Sequence, residues 1–207
     1  RYARLEPLDA DRHGPALFQA NAADDRIWTY LPYGPFADPA AYRAWLADAA
    51  ARTDPLFFAV IDKATGRAAG VLSFLRIDPD AGSIEVGHIC YAPALQRTRA
   101  GTEAQFLAMR TAFDLGYRRY EWKCDALNAP SRALAARLGF SFEGVFRQAT
   151  VVKGRNRDTA WFSVIDREWP ALRGAFETWL DPENFDATGR QRASLSAVTA
   201  SLRGDAG

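Results

Sequence analysis

The spacing of apolar and polar residues changes character along the chain, and each change predicts a different element. Leu5-Glu6-Pro7-Leu8 reads as a short strand, and Asp9 or Asp11 suits the cap of a helix running through Ala16-Leu17-Phe18 to about Ala22. Prolines and Gly34 forbid a regular helix in Ile27-Trp28-Thr29-Tyr30-Leu31-Pro32-Tyr33-Gly34-Pro35-Phe36. Asp38-Pro39 has the form of an N-cap with proline at the first helical position. Tyr42, Trp45, Leu46 and Ala49 then recur at spacings of three and four, a one-sided helical stripe. Leu56–Asp62 and 68–77 read as strands joined by Lys63-Ala64-Thr65-Gly66. Asp78-Pro79-Asp80-Ala81-Gly82 is a second turn, and Ser83–Tyr91 is the third strand of an antiparallel meander.

The pattern changes again beyond this point. Residues 102–115 carry Phe106, Leu107, Met109, Ala112 and Phe113 on a helical period, with Gly116 as the C-cap. Residues 118–124 read as a strand and 129–138 as a helix closed by Gly139. Strands over 140–152 and 158–165 flank the turn Lys153-Gly154-Arg155-Asn156, and a last helix covers 168–180. A helical crossover between residues 83 and 124 returns the chain in the same direction and implies a parallel pair. The expected fold is therefore α/β, with a mixed, mainly antiparallel central sheet, a parallel strand–helix–strand core and flanking helices. From Asp181 the composition shifts to Ser, Ala, Thr, Gly and Arg, so residues 1–180 are expected to form the domain and 181–207 a flexible or partner-packing tail.

Composition narrows the function classes. The chain has 207 residues and a formal net charge of +1, with no basic excess to suggest nucleic acid. No apolar run approaches the ~18 residues of a membrane span, and the first residues lack the apolar core of a signal peptide. The expectation is a soluble cytoplasmic protein with no membrane partner. Cys90 and Cys124 are too few for a disulfide framework and read as small buried hydrophobes. With two histidines besides, all scattered, no metal site is expected.

One loop carries candidate chemistry. Gln96-Arg97-Thr98-Arg99-Ala100-Gly101-Thr102 lies between a strand and a helix, where unpaired backbone N–H groups and the helix dipole make an anion site. Gly101 permits close approach, and Arg97 and Arg99 add charge. The alternative is an ordinary strand–helix loop with exposed arginines. Ile84-Glu85-Val86-Gly87-His88-Ile89, then Pro93-x-Leu95-Gln96-Arg97 and Gly101-Thr102-Glu103-Ala104, resembles the acetyl-coenzyme A loop of the GNAT superfamily of N-acetyltransferases. Asn128-Ala129-Pro130-Ser131-Arg132 followed by Leu138-Gly139-Phe140 is similar to that family's second signature. Phe142-Glu143-Gly144-Val145-Phe146-Arg147 and Arg157-Asp158-Thr159-Ala160-Trp161-Phe162-Ser163 resemble the closing hairpin of its RimJ/RimL-type branch. The likeness runs in matching order from about Leu5 to Trp169. It departs from the family where Arg99 takes the place of the loop's first glycine. A positive φ there would strain Arg99 by about 1 kcal/mol; otherwise the arginine is free to lean over a phosphate.

Acyl transfer from a thioester to an amine needs a neutral amine, two centres held together, a donor for the oxyanion and a departing thiolate. An α-amine, with a pKa of about 7.7–8.0 against about 10.4 for lysine, needs less help from a base. Glu85, mid-strand before the loop, is the candidate base, and the resemblance implies action through water. The alternatives are that Glu85 faces solvent or pairs with an arginine of the neighbouring strand. His88 is the rival, or a satisfied structural residue; strand alternation puts it opposite Glu85 unless a bulge intervenes. The resemblance further implies that Ile89-Cys90-Tyr91 pairs with the pantetheine arm and supplies an oxyanion N–H. It implies that Asn128 contacts the same arm and that Ser131 assists the thiolate, whereas Asn128 is also simply a good N-cap. The tyrosine acid common in the family is absent, its position being Ala135. Trp28, Tyr30, Tyr33 and Phe36 either frame the acceptor site or fold onto a small core of their own. Three functions stand open: acetyl-coenzyme A-dependent acetylation of a protein or peptide N-terminus, the same chemistry on a small amine, and non-catalytic acyl-coenzyme A binding. A homodimer is compatible with each.

Overall fold

The computed structural model describes residues 1–204. Its seven strands make a mixed α/β sheet, mostly antiparallel with one parallel pair, flanked by helices. The mixed architecture expected from the hydrophobic pattern is the one found. The chain divides into two compact units: residues 1–79 with 84–109, and residues 80–83 with 110 onward.

In the first unit the sheet order is β1 (Ala3–Pro7), β2 (Leu56–Asp62), β3 (Arg67–Asp78), β4 (Ser83–Tyr91). β1 and β2 run antiparallel with Leu5 opposite Val60, and β2 and β3 likewise with Phe58 opposite Leu72. Val71, Leu72, Ser73 and Phe74 are buried in succession, so both faces of β3 are covered. One cover is the pair α1 (Ala10–Asn21) and α2 (Pro39–Ala50). Asp9 caps α1 by accepting from the N–H groups of Asp11 and Arg12, and Asp38 caps α2 from Ala41 N–H ahead of Pro39. Gly14 allows the two helices to close, since a Cβ there would meet Leu46 Cδ1 at 3.2 Å. Leu17, Tyr42, Leu46, Phe57 and Ile61 form the core between them and the sheet.

α3 (Arg99–Asp114) begins three residues before the apolar period suggests. Thr98 explains the difference: its hydroxyl accepts from Gly101 N–H at 3.0 Å and donates to Leu95 carbonyl at 2.7 Å, capping a turn that contains no apolar residue of the stripe.

In the second unit β5 (Arg119–Asp125) alternates strictly between buried and half-buried residues. It pairs antiparallel with β7 (Arg155–Ile165), Trp122 opposite Phe162, and β7 pairs with the edge strand β6 (Ser141–Val152). α4 (Ala129–Arg137) and α5 (Trp169–Trp179) complete the expected elements, and Gly139 turns the chain after α4 with φ +90°. Residues 181–204, where the hydrophobic pattern predicts no element, hold a 3-10 turn and α6 (Leu195–Gly204). Leu195 is fully buried, Trp179 Nε1 donates to Gln191 at 2.8 Å, and Thr199 donates to Arg137 carbonyl at 3.1 Å. Residues 205–207 of the expected tail lie outside the described residues. Among the described residues no helix is long and apolar enough to cross a membrane.

Candidate active site

β4 carries the first candidate. Glu85 is 3% exposed, so its carboxylate is enclosed rather than facing solvent. Its Oε2 accepts from Arg76 Nη1 at 2.6 Å, the neighbouring-strand pairing that stood as one alternative. Arg76 is an uncommon partner. Its backbone has φ +48°, and Asp54 holds this conformation by accepting from Arg76 N–H at 3.0 Å and Ile77 N–H at 3.1 Å. The Arg76 side chain is 61% exposed, so the ion pair joins a buried carboxylate to a guanidinium rooted in solvent.

Three residues on, the strand breaks its own alternation. His88 has φ +49°, the left-handed region, which costs a non-glycine residue about 1–3 kcal/mol. The backbone at His88 thus departs from regular strand geometry. It turns the imidazole onto Tyr33, stacked at 11° with centroids 5.7 Å apart and Nδ1 3.3 Å from the Tyr33 hydroxyl. Phe57 closes on the ring at 5.0 Å. His88 is thus held by aromatic neighbours.

After Tyr91 the chain makes the turn that sequence singled out. Ala92 N–H donates to Ala69 carbonyl at 3.0 Å, and Gln96 Nε2 reaches back to Tyr91 carbonyl at 2.9 Å. The left-handed residue of the loop is Arg97, φ +59°, and not Arg99. Arg99 opens α3 with helical geometry, so no strain falls on the residue that replaces the family glycine. Its guanidinium lies 4.9 Å from the centre of the Tyr2 ring. Gly101 is required by the protein itself: a Cβ would sit 2.6 Å from Leu95 carbonyl oxygen and 3.4 Å from the Tyr91 ring. Its N–H is committed to Thr98. Tyr91 pins the turn to the helix, its hydroxyl accepting from Gln105 Nε2 at 2.8 Å and donating to Gly101 carbonyl at 3.4 Å. Burial pushes that hydroxyl well above the usual phenol range, so it stays a donor. The 16-residue helix α3 begins directly at this tight, basic loop. Ala100 and Thr102 are buried in its first turn, while Gln96 and Arg97 are exposed.

Trp28, Tyr33 and Phe36 form a core of their own. Trp28 is buried, edge-on to Phe36 at 5.4 Å, and Tyr33 lies on Trp45 of α2 at 4.3 Å. Tyr30 is half-buried in the turn between them. Cys90 is packed into the same apolar cluster, where burial pushes its thiol up to about 12.

In the second unit Asn128 is the N-cap of α4, its Oδ1 accepting from Ser131 N–H at 3.1 Å. Ser131 Oγ accepts from Trp122 Nε1 at 3.0 Å. Cys124 is buried, which raises its thiol pKa against the lowering effect of Ser131 and nearby arginines. Arg76, Asp54 and the Tyr91–Gln105 pair escaped sequence reading. An arginine of the neighbouring strand was one expected partner of Glu85, and Arg76 is that residue.

The family model for the acetyltransferase (GNAT) domain matches residues 3–141. The chain belongs to the GNAT acetyltransferase family. A GCN5-related N-acetyltransferase from Brucella melitensis is 54% identical with a TM-score of 0.95, over 97% of this chain and 92% of that one. An uncharacterized N-acetyltransferase, p20, from Bacillus licheniformis is 28% identical over 155 residues, 71% of this chain and 84% of that protein. The microcin C7 self-immunity acetyltransferase MccE, solved with acetyl-CoA and AMP, shares the fold at TM-score 0.70 and 20% identity, over 79% of this chain and 92% of that one. The GNAT family uses acetyl-CoA as its acyl donor, so β4 and the loop into α3 stand within an acetyltransferase domain.

Proposed function

We propose that this GNAT domain acetylates a primary amine, with a protein or peptide N-terminal α-amine as acceptor. The observation that carries the reading is Glu85: a carboxylate buried in β4, six residues before the strand ends at the loop, inside the stretch matched by the family model. When bound, acetyl-coenzyme A supplies the activated acyl group. Gln96, Arg97, Thr98, Arg99, Ala100, Gly101 and Thr102 would hold its phosphates, with the arginine side chains and the dipole of α3 supplying positive charge. Ile89, Cys90 and Tyr91 would align its pantetheine arm, and a backbone N–H of this strand would receive the oxyanion. Glu85 takes the proton of the attacking amine through a water molecule. An α-amine suits one carboxylate base, because a substantial fraction is already neutral near pH 8. From the second unit Asn128 and Ser131 enter as proposals from the family resemblance. Ser131 Oγ accepts the Trp122 N–H, and its own hydroxyl proton would serve the departing thiolate.

The test is thiol release from acetyl-coenzyme A against a panel of N-terminal peptides, lysine peptides with blocked N-termini, and polyamines. Turnover with unblocked peptides at about pH 8 is expected. Turnover confined to polyamines would move the acceptor to a small amine, and silence across the panel with no calorimetric coenzyme binding would overturn the reading.

A further inference from the structure

The residues leading into β1 lie against the start of α3. Glu103, one turn beyond Arg99 and 5% exposed, accepts from Ala3 N–H at 2.6 Å and from Tyr2 N–H. Lys63 N–H donates to Tyr2 carbonyl at 2.9 Å. The Tyr2 backbone is thus held on both sides, to α3 through its N–H and to the turn after β2 through its carbonyl. This fixed backbone carries a half-buried ring. The Tyr2 hydroxyl is buried and has no hydrogen-bond partner among the described residues, so the ring face is what the side chain offers. The Arg99 guanidinium lies over that face, 4.9 Å from its centre and within cation–π range.

Arg99 is the first residue of α3, where the helix dipole is positive and favours an acidic side chain. The helix opens instead with Arg99-Ala100-Gly101-Thr102, without an acidic residue, and Arg97 stands just before it. Helical side chains lean toward the N-terminal end, so Arg99 adds its charge on the loop side. Positive charge gathered at a positive helix end opposes folding and favours an anion. A carboxylate partner would cancel the guanidinium charge, whereas an aromatic face orients the group and leaves the charge in place. An arginine also loses rotamer freedom when it grips a phosphate, and the ring contact has imposed part of that loss beforehand. We propose that Tyr2 is a positioning residue of the coenzyme site, its ring holding Arg99 ready for a phosphate group of acetyl-coenzyme A. The inference rests on the loop as coenzyme site, and adds to it a residue that none of the loop motifs contains.

Calorimetric titration of the full chain with acetyl-coenzyme A is the test. Tyr2→Leu should raise the Kd about threefold, the size of a partly exposed cation–π contact. Tyr2→Phe keeps the ring and should restore the parent Kd. Arg99→Ala should weaken binding, and Tyr2→Leu should add nothing further in that background, which separates positioning of the arginine from a general loosening of β1. A Tyr2→Leu effect that persists without Arg99, or no effect at all while the parent binds, would overturn the inference alone. A parent that binds no coenzyme would remove the loop site and this inference with it. With 3′-dephospho-coenzyme A, a retained Tyr2 effect assigns the contact to the diphosphate and a lost one assigns it to the 3′-phosphate. Should Tyr2→Leu fail to fold, the parent still decides: its Arg99 Nε–H signal in 1H–15N spectra, identified by its absence from Arg99→Ala, should move saturably as coenzyme is added. A signal that stays still while coenzyme binds would overturn the inference.

Discussion

Glu85 in the first unit and Glu121 in the second are both strand carboxylates bonded to arginine, and their surroundings differ. Glu121 lies between Arg119 and Lys123, each at 2.7 Å. Arg119 also reaches Glu143, to which Ser163 donates at 2.6 Å, and Lys123 lies 3.8 Å from the centre of the Trp161 ring. Burial works to raise the Glu121 carboxyl, yet Lys123 and Arg119 outweigh it and hold it below the usual range. Every member of that network is fixed by another member. Glu85 is more deeply enclosed, but its arginine projects into solvent from a backbone position held by Asp54. A network with all ends tied is a clamp, whereas the Glu85 pair roots its arginine in solvent, which is the arrangement the proposed base role would use.

Substituting each carboxylate in turn is the strongest way to break this contrast. Glu85→Gln should lower kcat/KM for thiol release by about 10²–10⁴, the range for loss of a general base, with the unfolding midpoint little changed. Glu121→Gln should leave kcat/KM nearly unchanged but destabilise the protein by about 1–3 kcal/mol, because Lys123 loses its charged acceptor. Rates and urea midpoints measured on the same preparations decide it, and a reversal of the two patterns would end the distinction.

A second contrast sets Gly101 against Gly154. An alanine Cβ at Gly101 would meet Leu95 carbonyl oxygen at 2.6 Å, a backbone atom that cannot swing aside. The start of α3 must shift, so Gly101→Ala should raise the coenzyme Kd about tenfold, with about 1–3 kcal/mol lost from overpacking. Gly154, at the tip of the β6–β7 turn, has φ +72° but open space around it. Gly154→Ala should cost about 1 kcal/mol of strain and leave the coenzyme Kd unchanged. Calorimetric titration with acetyl-coenzyme A separates the two.

The same contrast shows what was legible in the sequence. Caps such as Asp9, Asp38 and Asn128 act on the next turn of their own helix, so their type and position sufficed. Strand and turn periods located the meander and the closing hairpin for the same reason. Arg99 was left open between a strained position and an unstrained one because φ depends on where the helix starts, and the Thr98 cap sets that start at Arg99. The Glu85–Arg76 pair depended on contact between strands, and the left-handed His88 on packing against Tyr33 and Phe57. Such long-range contacts have no local pattern. α6 was missed because Leu195 and Thr199 find their partners in a distant part of the chain, which a composition of small and polar residues conceals.

Smaller in effect is the acid response of the first unit. His13 is buried, with Nδ1 accepting from Asp9 N–H at 3.1 Å and Nε2 3.1 Å from Glu6 Oε2. The Asp9 bond requires an unprotonated Nδ1. Burial, and then the Arg12 charge, lower its pKa below the usual value of 6.5. The unfolded chain therefore binds this proton at higher pH than the folded one. The contribution of His13 is present above about pH 6.5 and is lost as pH falls through the depressed folded value. Urea midpoints between pH 7.5 and 5 should decline, and His13→Gln should flatten that decline. An unchanged slope in the variant would assign the acid response to other groups.

The smallest predicted effect compares the two thiols. Cys90 sits in the aromatic and aliphatic core of the first unit, and burial pushes it up to about 12. Cys124 is also buried and raised, but Ser131, Arg157 and Arg132 all act to lower it again. Only the thiolate reacts with a disulfide reagent, so each rate follows exposure and thiolate fraction together. In the native protein at pH 8 both should label far more slowly than in urea, and Cys124 should label before Cys90. Mass spectrometry of partly labelled protein identifies the order. Prior labelling of Cys90 would mean that the first unit opens more readily than the second, which is hard to reconcile with a core packed this tightly around Tyr42 and Leu46.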